Sequence, residues 1–168
     1  NYTNLPSADR IADIGFDDIT FQSSAPNQTR LECNATMACP VALLGSHDDH
    51  AVQFSGSEQM QLSSNPILTN GFTIAYWAQR SASSLNTVVM HGTTAAKRFS
   101  AGFNANNTPY CAIGTTKVSS STPSDTNWHL YVCIYNKTTG TLGLSVDAGT
   151  PQTVLSGYTD SGALLVGR

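Results

Sequence analysis

The stretch NWHLYVCIYNKTTGTLGLSVDAG, residues 127–149, decides the fold class. Its first half alternates in the way a β-strand does, which places Trp128, Leu130, Val132 and Ile134 on one face. The intervening residues His129, Tyr131, Cys133 and Tyr135 share the other face. The segment NKTTG, residues 136–140, forms a hairpin turn, and the chain returns through Leu142, Leu144 and Val146. The stretch therefore predicts two antiparallel strands with one apolar face.

Short runs of the same kind recur along the chain between turn residues, and helical periodicity is nearly absent. They predict further strands at 11–16, 51–54, 60–62, 72–77, 87–91, 99–103, 110–113 and 163–166. The sequence between Asp18 and Ala51 has no regular alternation of apolar and polar residues, and we interpret it as a long surface excursion of the chain. A chain of 168 residues fits one core. We predict an all-β, two-sheet antiparallel β-sandwich of the jelly-roll type, with an extended arm at 1–10 and the domain at 11–168.

The four cysteines, Cys33, Cys39, Cys111 and Cys133, form an even set without the C-x-x-C spacing of a zinc ribbon. Two disulfides are therefore predicted. Three connectivities are open, and local spacing favours Cys33 with Cys39 and Cys111 with Cys133. Disulfides persist in oxidising compartments, which indicates a secreted, extracellular or cell-surface protein.

Charged residues make up only 11% of the chain, so something other than charge must keep its surface hydrated. Five N-x-[ST] triplets offer N-glycans for that role, at Asn1, Asn27, Asn34, Asn106 and Asn136. The net charge of -3 leaves no basic patch for nucleic acid. No apolar run approaches the roughly 18 residues that span a bilayer, which argues against membrane insertion.

Several segments together resemble the laminin-G-like jelly rolls of the concanavalin A-like lectin and glucanase superfamily. FTIAYWAQ at 72–79 resembles the family strand "FTISxWV", and residues 127–149 resemble the hairpin "WHHVAxxYxxxxGxLxLYVDG". CPVALLGSHDDHAVQFSGSEQMQL at 39–62 resembles the segment around "A-x-x-F-x-G". ALLVGR at 163–168 resembles "LxIGR", and DIGFDD at 13–18 resembles the opening strand "xxFDE". One departure is that Asp49 and His50 stand before Ala51 where the family has a turn glycine.

The resemblance implies carbohydrate chemistry, so acidic residues need a check first. Glycoside hydrolysis needs two carboxyl groups roughly 5–9 Å apart. The only glutamates, Glu32 and Glu58, do not form the E-x-D-x-x-E arrangement of the glucanase relatives. We therefore predict that the chain is not an enzyme.

Metal and aromatic sites are weaker predictions. The resemblance implies a structural calcium ion held by acidic oxygens, for which Asp17, Asp18 and Asp48 are candidates by type. The cluster of residues 47–50, HDDH, could ligate a metal, but a polar loop is the simpler interpretation. Trp77 and Trp128 could stack on sugar rings, yet a strand tryptophan usually belongs to the core, and we predict that for both.

Family members continue beyond the "LxIGR" strand into a closing strand that this sequence does not contain. We expect the sheet edge beside residues 163–166 to be open. It could be filled by residues of the precursor beyond Arg168, by a cleaved partner fragment or by an extended segment of a neighbouring copy. Our functional prediction is a structural subunit that assembles with copies of itself by strand donation, with 1–10 as the donor arm. The alternative is a carbohydrate- or protein-binding module of a larger secreted protein.

Overall fold

The chain folds as a β-sandwich, seen in a computed structural model that describes residues 31–33, 38–44, 50–66, 68, 71–80, 86–121 and 125–167. These residues form thirteen strands and no helix. The strands are β1 Leu31–Cys33, β2 Val41–Leu44, β3 His50–Gln53, β4 Met60–Leu62, β5 Gly71–Ala78, β6 Asn86–His91, β7 Phe99–Phe103, β8 Pro109–Ile113, β9 Thr116–Ser119, β10 His129–Asn136, β11 Thr141–Val146, β12 Gln152–Leu155 and β13 Leu164–Val166. The predicted arm at 1–10 and the predicted strand at 11–16 lie outside the described residues.

Seven strands form a large antiparallel sheet in the order β1-β4-β13-β6-β7-β8-β9. Within it β13 lies between two neighbours: Leu165 pairs with Gln61 of β4 on one side and with Met90 of β6 on the other. The prediction of an open edge beside residues 163–166 is therefore wrong. β13 has only three residues, but it can form an interior strand because its neighbour β4 is equally short. The local sequence of a strand does not show which position in the sheet that strand takes.

Four strands form a small antiparallel sheet in the order β12-β11-β10-β5. Its inner face packs on the large sheet through Cys133 and Tyr135 of β10 and Leu142 and Leu144 of β11. Its outer face carries the alternate residues. The face of β10 that turns to the sandwich core is thus the one with Tyr131, Cys133 and Tyr135, opposite to the face that the apolar pattern favoured.

The outer face of β10 explains that error. Leu130 and Val132 are buried there, whereas Ile134 is 39% exposed. Trp128 lies before the strand and is half-buried, and it is not in the main core cluster, so the core prediction for it is wrong. Both faces of β10 bury apolar side chains, and a strand that is apolar on both faces does not reveal which face meets the partner sheet.

Gly71 shows why β5 begins where it does. Its φ of +106° is a conformation that side-chain-bearing residues rarely adopt, and a Cβ there would lie 2.7 Å from the carbonyl oxygen of Tyr135. Glycine permits both the conformation and this close approach of β5 to the end of β10. Asn136, the last residue of β10, consequently faces a position without a side chain.

Two features join the sheets through the core. The disulfide Cys111–Cys133 connects β8 of the large sheet to β10 of the small sheet, and both cysteines are fully buried. In addition, the Tyr158 hydroxyl hydrogen-bonds the Nδ1 atom of buried His91, while the Tyr158 backbone N–H donates to the Tyr135 hydroxyl at 3.0 Å. Because burial lowers the pKa of His91, its ring is neutral. Its Nε2–H donates to the Pro66 carbonyl at 3.2 Å.

Most of the predicted strands in the described residues are found, with ends shifted by at most a residue or two. Strands β1, β2, β9 and β12 were not predicted from the sequence. The first two lie in the segment interpreted as an irregular excursion, where β1 pairs with β4 and β2 pairs with β3 as a separate hairpin. These strands have three or four residues each, and such a length is too short for an alternating pattern to stand out.

Candidate functional site

A groove of about 310 Å³ opens at the rim where the two sheets meet. Its walls come from the start of β8, the end of β9 and the adjoining ends of β10, β11 and β12. The lining residues are Pro109, Ser120, Ser121, His129, Tyr131, Leu144, Val146, Asp147, Gly149, Thr150 and Gln152. Leu144 and Tyr131 are buried and close the inner end, whereas the mouth is lined by hydroxyl, amide, imidazole and carboxylate groups. The groove therefore combines an apolar floor with a polar rim.

His129 is the most constrained of the polar groups in this groove. Its Nδ1 atom lies 2.6 Å from Asp147 Oδ2, and its Nε2 atom lies 2.9 Å from Asp125 Oδ1. Carboxylate oxygens only accept hydrogen bonds, so both ring nitrogens carry protons and the ring is cationic. The hydrogen bond to Asp147 and then that to Asp125 raise the pKa of His129, in agreement with this protonation state. We call these three residues the ion triad.

The carboxylates of the ion triad are held in their charged form. The hydrogen bond from His129 is the main cause that lowers the pKa of Asp125. For Asp147, partial burial acts to raise the pKa, but hydrogen bonds from His129 and from the Leu130 backbone N–H leave the pKa lowered. The Leu130 N–H lies 2.9 Å from Asp147 Oδ1. The triad therefore places one cation between two anions at the mouth of the groove.

The turn after β11 sets the position of Asp147. Asp147 and Ala148 have φ values of +50° and +59°, in the left-handed region that residues other than glycine seldom occupy. The Asp147 backbone N–H donates to the Leu130 carbonyl at 2.9 Å, and the Gly149 N–H donates to the Val146 carbonyl at the same distance. Backbone and side-chain bonds together hold this conformation, which directs the carboxylate of Asp147 to His129.

Four of the five described acidic side chains are poorly suited to acid catalysis. Glu58 accepts hydrogen bonds from the hydroxyl and backbone N–H of Ser55 at 2.5 and 2.7 Å, and these bonds lower its pKa to about 2. The pKa of Asp160 is also lowered, chiefly by the Thr94 backbone N–H. A glycosidase needs one carboxyl group whose pKa is raised enough to hold a proton. Glu58, Asp160 and both triad carboxylates have the opposite shift.

The structure contains the two disulfides that the spacing favoured, Cys33–Cys39 and Cys111–Cys133. They indicate an oxidising compartment. Of the predicted glycosylation sites, Asn106 and Asn136 are described, and both are exposed. Asn1, Asn27 and Asn34 lie outside the described residues.

The predicted calcium ligands Asp17, Asp18 and Asp48 also lie outside the described part of the chain, as do residues 47–49 of the HDDH cluster. Within that part, no group of three or more His, Cys, Asp or Glu side chains is arranged to hold a metal ion.

Trp77 lies on the outer face of the small sheet, with 42% of its surface exposed. The prediction that it belongs to the core is wrong. It is in phase with Thr73 and Ala75, while Phe72, Ile74 and Tyr76 of the same strand pack on the core cluster. β5 can present this large side chain outward because the alternate positions already supply its buried face.

The ion triad was not predicted from the sequence. A usable signal was present in the hairpin: Asn136 pairs with Thr141 across the turn, and counting back in register brings residues 129 and 130 beside Asp147. Asp125 could not be found in this way, because it reaches His129 from a loop outside the strand ladder.

Comparison with known proteins gives the fold. No family model matches the sequence, and no similar curated protein was found. Among solved structures, the chain is similar to the carbohydrate recognition domain of Emp47p, with 11% identity and a TM-score of 0.50 over 90% of this chain and 88% of that one. A Bacillus licheniformis beta-glucanase has 7% identity and a TM-score of 0.48 over 88% of this chain and 68% of that one.

At these identities the likeness concerns the backbone alone. None of the described elements is a helix that could cross a membrane. Two antiparallel sheets in one sandwich, the sequence resemblance and the structural likeness agree with one another. The chain therefore has an all-β jelly-roll fold similar to that of the carbohydrate recognition domain of Emp47p.

Proposed function

We propose that this chain is a non-enzymatic binding module of an extracellular glycoprotein, and that its rim groove binds a saccharide. The observation that carries the proposal is the groove itself, in which an apolar floor lies below a polar rim ordered by the ion triad. A volume of about 310 Å³ falls at the lower end of the roughly 300–1,000 Å³ usual for small-molecule sites. This size fits one or a few sugar units rather than a protein surface.

The chemistry of the groove mouth supports a polyhydroxylated ligand. Ser120, Ser121, Thr150 and Gln152 offer groups that both donate and accept hydrogen bonds, as sugar hydroxyls do. Gln152 is exposed, and its Nε2 lies 3.5 Å from Ser121 Oγ, so this amide is available at little cost. The carboxylate of Asp147, which lines the groove, adds an acceptor that is already fixed in place, and this reduces the entropy lost on binding.

The absence of catalysis is part of the proposal. Both triad carboxylates are engaged by His129, and their lowered pKa values leave neither as a proton donor at neutral pH. The carbohydrate recognition domain of Emp47p offers an analogy for binding on this fold, although the likeness itself concerns fold only.

The disulfides support an extracellular address, and the sequons support glycosylation. Two disulfides in a chain of this length fit secretion. The exposed Asn106 and Asn136 are available for N-glycans, which would hydrate a surface poor in charge. The single domain at 11–168 and its arm at 1–10 remain part of this proposal.

A glycan array, screened with and without calcium, tests the proposal, followed by calorimetry of the strongest hit. Q152A should weaken binding about fivefold, the loss expected for one hydrogen bond of about 1 kcal/mol. T153A is the matched control, because Thr153 neighbours Gln152 but faces the outer side and does not line the groove. Binding to no glycan, or equal affinity in Q152A and wild type, would contradict the groove assignment.

W77A separates the groove from a second surface. Trp77 is exposed on the outer face and could stack on a sugar ring. If W77A abolishes binding while Q152A leaves it unchanged, the saccharide binds to the outer face and the groove proposal is wrong.

The edge expected to accept a donated strand is not open, because β13 has neighbours on both sides. Self-assembly by strand donation stays a prediction of the sequence, ranked below saccharide binding. Light scattering on the purified glycoprotein tests self-assembly, since a monomer at all concentrations would exclude a filament subunit.

A further inference from the structure

Two exposed apolar side chains lie at one end of the outer face of the small sheet. Directly opposed residues of antiparallel strands share a face, which places Ile134 of β10 on the outer face with Thr73 of β5. Leu155 of β12 lies there too, opposite Thr141. Ile134 is 39% exposed and Leu155 is 76% exposed. We call these two side chains the outer apolar pair.

Asn136 belongs to the same face and the same end. It pairs with Gly71 on one side and with Thr141 on the other, so Gly71, Asn136, Thr141 and Leu155 form one row across the sheet. Ile134 is two residues from Asn136 along β10, about 7 Å away, and Leu155 is two strands away, about 10 Å. The outer apolar pair therefore flanks the asparagine of the sequon Asn136-Lys137-Thr138.

The local geometry favours a glycan that leaves the protein on this face. The Asn136 Oδ1 atom accepts hydrogen bonds from the backbone N–H groups of Thr138 and Thr139 at 2.9 and 3.2 Å. Both bonds are made by the amide oxygen. The amide nitrogen, which is the atom that carries an N-glycan, takes no part in them. The side chain is exposed, and Gly71 opposite adds no side chain that would obstruct a bulky group.

We propose that Asn136 carries an N-glycan whose first sugars lie over Ile134 and Leu155 and cover the outer apolar pair. The sugar rings have apolar C–H faces and polar edges, so they can cover aliphatic side chains while presenting hydroxyl groups to water. Only 11% of the residues in the chain are charged, so glycans would supply a larger share of the hydration of its surface. This inference does not depend on the saccharide-binding groove, which lies at the opposite end of β10.

The test uses protein secreted from a cell line that adds N-glycans. Peptide mass spectrometry gives the occupancy of Asn136, and a dye that fluoresces on apolar surfaces reports exposure of the outer apolar pair. N136D removes the glycan and replaces the amide oxygen with a carboxylate oxygen that can accept the bonds from Thr138 and Thr139. N106D is the matched control, because Asn106 is an exposed sequon in a loop and its Oδ1 similarly accepts from Thr108.

We expect N136D to raise dye fluorescence severalfold and to increase self-association in size-exclusion chromatography, whereas N106D leaves both unchanged. Adding I134T and L155T to N136D should return both readouts to those of the wild type. T138A, which removes the sequon and keeps Asn136, should behave like N136D. An unoccupied Asn136, an unchanged dye signal in folded N136D, or an equal rise in N106D would overturn the proposal.

Discussion

The disulfide between the two sheets should stabilise the fold much more than the disulfide beside β1. Cys111 and Cys133 are 22 residues apart, and both are fully buried in the core. Cys33 and Cys39 are only 6 residues apart, and both are exposed. The double variants C111A/C133A and C33A/C39A therefore form a matched pair that differs in loop length and in burial.

Loop closure gives the first part of the expected difference. By lowering the entropy of the unfolded chain, the disulfide Cys111–Cys133 stabilises the fold by about 3.5 kcal/mol, whereas Cys33–Cys39, which closes the shorter loop, does so by about 2 kcal/mol. The C111A/C133A variant also removes two buried sulfur atoms, each similar to a methylene group and worth ~0.8 kcal/mol. We expect losses in the free energy of unfolding of about 5 kcal/mol for C111A/C133A and about 2 kcal/mol for C33A/C39A.

Urea denaturation followed by far-UV circular dichroism measures the difference. With a denaturant slope of about 2 kcal/mol per molar urea, the midpoint should fall by about 2.5 M in C111A/C133A and by about 1 M in C33A/C39A. If C111A/C133A is unfolded without urea, the loss exceeds the whole stability and agrees with the ranking. Equal shifts in the two variants, or a larger shift in C33A/C39A, would refute the reasoning.

Three further predictions concern pH and backbone strain. Because the pKa of His129 is raised, its contribution to the free energy of unfolding is full below about pH 6.5 and is lost as pH rises through the raised pKa. D147N should therefore lose more stability at pH 5.5 than at pH 8.5 in urea titrations. Equal losses at the two pH values would contradict the ion triad. Because the pKa of Glu58 is lowered to about 2, its contribution to the free energy of unfolding is full above about pH 4.3 and is lost as pH falls through about 2. The melting temperature of E58Q should therefore depend less on pH over that interval than that of the wild type. A148G relieves a left-handed conformation, so it should raise the free energy of unfolding by about 0.5–1 kcal/mol in chemical denaturation, and a loss would argue against strain at this turn.

The hairpin of β10 and β11 shows how far the sequence alone leads. Its turn and both strands follow from alternation and from the NKTTG turn, and the register then follows from the turn by counting pairs. Two of the three residues of the ion triad, His129 and Asp147, could be placed together from that register. Asp125 was not, because a loop residue has no period that fixes its position, and only the three-dimensional path of the loop brings it to the ring.

The position of β13 shows the opposite case. Its three residues predicted a strand correctly, but the sequence resemblance placed an open edge beside it, where the structure has β4 and β6. Neighbours in a sheet come from anywhere in the chain, and the pairing of 60–62 with 164–166 leaves no mark on either segment. Trp77 is a similar case, since its exposure depends on which side of β5 meets the other sheet.

The sequence by itself determined the all-β class, most strand positions, the cysteine pairs favoured by spacing and the sequons, because each depends on residues close together in the chain. The tertiary structure decided which face of β10 meets the core, which strands enclose β13 and how the ion triad borders a groove. The physical reason is that hydrogen bonding within a strand pair and turn chemistry are local, whereas burial and ionisation depend on neighbours that are distant in sequence.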